Sequence, residues 1–74
     1  MIVRIVMGVS ALLQKANHLI RTGRYNEAIA QYDKVLDTDK NNTVALEHKG
    51  QAYYYLGQHE NAIACYDRAL ATNP

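Results

Sequence analysis

Apolar residues recur along the chain in steps of three and four, in four runs parted by glycines or by polar stretches. Leu12, Ala16, Leu19 and Ile20 fall on one face of a helix predicted from about Ser10 to Thr22. Gly23 follows, a residue able to take the left-handed conformation that closes a helix, and Arg21 complements the C-terminal carbonyls in the last turn. A second helix is predicted from Tyr25 or Asn26, with Glu27 in its first turn and Ala28, Ile29, Tyr32, Val35 and Leu36 along its apolar face. The polar run from Asp37 to Asn42 has no periodicity and breaks the pattern. Asn42 or Thr43 caps a third helix carrying Ala45, Leu46, Gly50, Tyr53 and Leu56, and Gly57 repeats the stop. A fourth follows through Ala62, Ile63, Tyr66, Ala69 and Leu70 towards Pro74. No strand pattern of similar strength competes, so the fold class expected is all-α, built from two helical hairpins.

The hairpins repeat each other. GRYNEAIAQYDKVL from Gly23 returns as GQHENAIACYDRAL from Gly57, an offset of 34 residues. Across 9–40 and 43–74 that offset gives 11 identities in 32 positions, where average residue usage gives roughly two or three. Ala11, Leu12 and Lys15 thereby align with Ala45, Leu46 and Lys49. Small residues stand on both arms of each hairpin, Ala16 with Ala28 and Gly50 with Ala62. Such pairs let two backbones approach closely enough for Leu12 or Leu46 and Tyr32 or Tyr66 to interlock.

With its period, turn glycines, Ala-x-x-x-aromatic pairs (Ala28/Tyr32, Ala62/Tyr66) and closing Pro74, the chain resembles the tetratricopeptide repeat family. The resemblance divides it into an apolar N-terminal tail over 1–8 and repeats over 9–42 and 43–74. It departs from the family pattern where Leu12 and Leu46 replace the first-helix tryptophan, where Lys15 and Lys49 replace the next leucine, and where Ala16, Leu19 and Lys40 stand in the first repeat. The two lysines are expected to lay their stems along the apolar surface.

The resemblance implies a protein-interaction module whose first helices line a concave face that holds a segment of a partner protein or peptide. Carried over by position, the groove residues would be Ser10, Leu13, Gln14, Asn17, Ile20 and Arg21 from the first repeat. The second repeat would add Val44, Glu47, His48, Gln51, Tyr54 and Tyr55. Tyr53 falls on the core-facing stripe, and helical geometry turns Tyr54 and Tyr55 away by about 100° and 200°. They would be free either to meet a partner or to pack on a neighbouring helix. A carboxylate clamp, as one subclass of the family uses, is matched by Asn17 alone: Leu13 and His48 replace its charged and amide partners.

Composition narrows the alternatives. The net charge is +1, and the eight Lys and Arg are interspersed with acids, so no basic stripe suits nucleic acid. No segment reaches the roughly 20 apolar residues of a membrane span, and Met1–Leu13 is read as part of the chain rather than as a signal peptide. Cys65 is single, consistent with a reducing, cytoplasmic setting. It lies six residues from His59 on one predicted helix, about 240° around its axis, which keeps them apart as nucleophile and base. His18, His48 and His59 lack metal-ligand spacing. The chain is therefore read as a non-enzyme without metal or cofactor.

A second reading is a self-assembling unit, a homo-oligomer. Its grounds are two repeats where three or more usually stack, and a β-branched, apolar stretch at Met1–Gly8 that calls for cover. That stretch is open to three readings: strand-like arm, extension of the first helix, or remnant of a neighbouring sequence.

Overall fold

A computed structural model describes the backbone of residues 2–72 and the side chains of residues 8–72. Four helices follow one another: α1 Ile2–Arg21, α2 Tyr25–Thr38, α3 Thr43–Tyr55 and α4 His59–Thr72. Of the three readings for the N-terminal stretch, the helical extension is the one seen over residues 2–8, because α1 runs unbroken from Ile2. Pro74, Asn73 and the cover expected for the apolar side chains at 1–7 fall outside the described residues.

The two hairpin turns are built alike. Gly23 and Gly57 have φ of 79° and 78°, in the left-handed region. The Gly23 amide donates to the Ile20 carbonyl and the Arg24 amide to that of Leu19, at 3.0 and 2.8 Å. Gly57 and Gln58 repeat both bonds, to Tyr54 and Tyr53. This six-to-one and five-to-two pairing satisfies carbonyls that a helix end leaves without partners, and a Cβ would strain it. At the start of α3, Asn42 Oδ1 accepts from the Ala45 amide at 2.9 Å, and its Nδ2 donates to Asp39.

The helices pack in the order α1, α2, α3, α4, each against its neighbours, with a narrow direct contact between α1 and α3. They form a slab of 38 × 30 × 15 Å. The core runs through it as Ala16, Leu19, Ala28, Tyr32, Val35, Leu36, Ala45, Leu46 and Ala69. The small positions behave as the pattern requires, since Ala16, Gly50, Ala28 and Ala62 are all buried where helices meet. A Cβ on Gly50 would come within 2.9 Å of the Tyr66 ring, so the absence of a side chain there leaves the space in which that ring lies against α3.

Three expectations are corrected by packing. Ala52, not Tyr53, is the fully buried residue in the C-terminal half of α3, and Tyr53 is half-buried. That helix is wedged between α2 and α4, which widens its covered arc towards Ala52. Lys49 lays its stem along the surface as expected, reaching Asp33 at 2.5 Å, but Lys15 is exposed because no described helix precedes α1. Tyr66 is 37% exposed while its counterpart Tyr32 is fully buried, for the matching reason that no described helix covers the far side of α4.

Candidate functional site

The first helices carry the expected groove residues, and the structure sorts them into four groups. Leu13 and Ile20 are half-buried and packed against the core, which leaves only part of each available to a partner. Asn17 and His48 are drawn together by a residue of the second helix. The Tyr32 hydroxyl donates to Asn17 Oδ1 at 2.7 Å, and its ring meets the His48 imidazole with centroids 5.9 Å apart. Tyr32 thus links three helices, and burial pushes its hydroxyl up to about 12. The sequence reading placed Tyr32 only in the core; nothing in the spacing of Asn17 and Tyr32 marks the bond, which depends on how α1 crosses α2.

Arg21, Ser10, Gln14, Val44 and Glu47 are exposed. Glu47, His48 and Gln51 line one side of an open groove of about 480 Å³, whose other wall is Tyr66, Ala69 and Leu70 of α4. Those α4 residues were not among the expected site residues. The repeat alignment gives no signal for them, since it treats Leu70 as another Leu36; the two differ because α3 covers Leu36 and no described helix covers Leu70. His48 Nδ1 is buried beside this groove without a hydrogen-bond partner.

Tyr54 and Tyr55 lie at the other end of α3, near the turns. They are 57% and 51% exposed. Tyr55 stacks on Tyr25 of α2 with centroids 5.2 Å apart and planes at 26°, and Tyr54 meets Tyr55 and His59 edge-on at 6.0 and 5.4 Å. The four rings make a ladder across the turn end of both hairpins. Gln51 connects it to the groove by donating to the Tyr55 hydroxyl at 3.4 Å.

The remaining chemistry-bearing residues are dispersed. Cys65 is buried, and burial pushes its thiol up, against weaker opposing pulls from Lys49 and Arg68. Lys49 is opposed by its own burial, yet the hydrogen bond and charge of Asp33 carry it above its usual value. Among the described residues no group of His, Cys, Asp and Glu is placed to hold a metal, and no helix is long and apolar enough to cross a membrane.

Family models described as tetratricopeptide repeat match residues 9–42 and 44–74. Among curated proteins, the chain is similar to the "DnaJ protein P58IPK homolog" of Arabidopsis thaliana, 38% identical over 86% of this chain and 13% of that protein. It is also similar to the "Tetratricopeptide repeat and J domain-containing co-chaperone DNJ1" of Fusarium oxysporum, 33% identical over 89% of this chain and 13% of that protein. A third likeness is to the "Tetratricopeptide repeat protein 12" of Mus musculus, 33% identical over 81% of this chain and 8% of that protein. The chain spans about an eighth or less of the length of these relatives.

Proposed function

The chain belongs to the tetratricopeptide repeat family, with two repeats, and from that premise we propose that it is a protein-binding module whose partner segment lies along the first helices. Leu13, Asn17, Ile20 and Arg21 of α1 and Glu47, His48, Gln51, Tyr54 and Tyr55 of α3 form the proposed face. The observation that most supports it is the tyrosine ladder. Tyr54 and Tyr55 keep more than half their surface exposed, yet Tyr25 and His59 brace them. Ordered aromatic surface binds at small entropic cost and supplies a disproportionate share of interface energy. A Cys65 thiol held protonated by burial, together with dispersed histidines, supports a non-catalytic role. A cytoplasmic setting is our proposal from the free cysteine, and the co-chaperone among the relatives makes chaperone-linked segments the first partners to screen.

Peptides selected from a displayed library against this chain, then mapped by amide chemical shifts, test the reading. The expected shifts cluster on α1 and α3, and Tyr54→Ala with Tyr55→Ala weakens binding at least tenfold while helical content stays. Shifts confined to the outward faces of α2 and α4, or unchanged binding by the double variant, would refute it.

A second reading is favoured by a separate observation: Ile63, Tyr66 and Leu70 lie exposed together on α4. We propose on that ground that the chain also associates with itself.

A further inference from the structure

The seat that α3 occupies on the first hairpin exists a second time on the second hairpin, where no described helix covers it. Helices α2 and α4 correspond residue for residue at an offset of 34, from Tyr25/His59 to Thr38/Thr72. On α2, Ile29, Tyr32 and Leu36 are 8%, 0% and 9% exposed; their counterparts Ile63, Tyr66 and Leu70, two tyrosines, two isoleucines and two leucines in register, are 57%, 37% and 64% exposed. The residues are the same, so the difference lies in what covers them. Over the first hairpin it is α3, which buries Ala45 and Leu46 completely and pairs Lys49 with Asp33 of α2. Over the second hairpin Asp67 repeats Asp33, and the groove bounded by Glu47, Gln51, Tyr66 and Leu70 stands open.

The chain also carries an uncovered copy of the helix that fills such a seat. Ala11, Leu12 and Lys15 of α1 repeat Ala45, Leu46 and Lys49, and where the α3 residues are buried or half-buried, Ala11 and Lys15 are exposed and Leu12 is half-exposed. The one enlargement on this face, His18 for Ala52, accompanies a reduction on the seat, Ala69 for Val35.

We propose that α1 of a second copy docks on α3 and α4 of the first, in the register that α3 adopts on α1 and α2, with Lys15 of one copy paired to Asp67 of the other. This rests on the self-association reading and specifies its interface. The two surfaces are different patches of one chain, so the contact is head-to-tail and propagates: each added copy presents a fresh seat, and the product is a concentration-dependent stack rather than a closed dimer. The internal α2–α3 junction is the template, and charge complementarity fixes the register because a helix slipped by one turn would leave Lys15 and Asp67 apart.

Sedimentation velocity of the 74-residue chain over a dilution series into the high-micromolar range, with two charge variants, tests it. The wild type is expected to grow in mass with concentration. Lys15→Asp and Asp67→Lys each put like charges at the junction and weaken association about tenfold. Both residues are exposed, so circular dichroism should show each variant folded. An equimolar mixture of the two restores association, because opposite charges then meet at every junction. The introduced aspartate of one variant faces the introduced lysine of the other, and the original Lys15–Asp67 pairing forms at the alternate contacts. A wild type that stays monomeric throughout overturns self-association and this interface together. A wild type that associates, with variants that associate equally and gain nothing on mixing, overturns the register alone.

Discussion

Replacing Tyr32 by phenylalanine isolates the hydroxyl that ties α2 to α1. The ring stays, with its fully buried surface and its contact to His48, and only the hydrogen bond to Asn17 Oδ1 at 2.7 Å is lost. Asn17 is half-buried, so water can reach its freed oxygen, and the loss should fall near the middle of the usual range, about 1 kcal/mol. For a domain of this size that corresponds to a fall in Tm of roughly 4–8 °C. By contrast Tyr32→Ala removes the ring and should cost about 3–5 kcal/mol, comparable with the whole stability of a small domain. The sharper test is pH. In the folded chain the Tyr32 hydroxyl is held up to about 12 from an ordinary 10.0, because burial disfavours the phenolate. A pKa raised on folding contributes stability that is complete below the unfolded value and disappears as pH climbs through the folded one. Phenylalanine has no such group, so the advantage of wild type over Tyr32→Phe should hold steady up to about pH 10 and then shrink towards about pH 12. Urea unfolding followed by circular dichroism at a series of alkaline pH values measures it, the other five tyrosines cancelling in the difference. A gap that stays constant across that window, or an Asn17→Ala/Tyr32→Phe cycle with no coupling energy, would refute the linkage.

Gly8 lies inside α1 with open space where a Cβ would go, so Gly8→Ala should stabilise by about 0.5–1 kcal/mol in thermal melts. Gly23→Ala and Gly57→Ala, at φ of 79° and 78°, should each cost about 1–2 kcal/mol, and a cost near zero would mean the turn had changed type. Asn42→Ala removes the cap on the Ala45 amide and should cost about 1 kcal/mol, read as earlier fraying of α3 by hydrogen exchange. Asp33→Asn should lower the pKa of Lys49 in an NMR titration, since Asp33 is what outweighs the opposing effect of burial; an unchanged value would separate the pair.

The candidate site was legible only in part. The exposure of Tyr54 and Tyr55 agrees with rotation around a helix, although the buried residue that anchors the arc is Ala52 and not Tyr53, which is half-buried. Their bracing by Tyr25 and His59 does not follow, because those rings come from other helices and meet only once both turns have folded. Asn17 and His48 stand out by position along α1 and α3, while the residue that couples them, Tyr32, sits on α2 and reads from the sequence as core alone. The α4 wall of the groove escapes a repeat alignment, which treats Leu70 as another Leu36.

What the sequence by itself determined is local and periodic: four helices, turns at Gly23 and Gly57, a cap at Asn42, and small residues where helices must close up. Each depends on a backbone preference or on neighbours within a few residues, so the letters suffice. What only the tertiary structure decided is the fate of residues that the two repeats share. Leu36 is buried and Leu70 is not; Lys49 is ion-paired while Lys15 stands in solvent; Tyr32 is sealed and Tyr66 open. Burial belongs to the helix lying on the far side and not to the residue itself, and a stacked array covers each repeat only where another helix follows or precedes it.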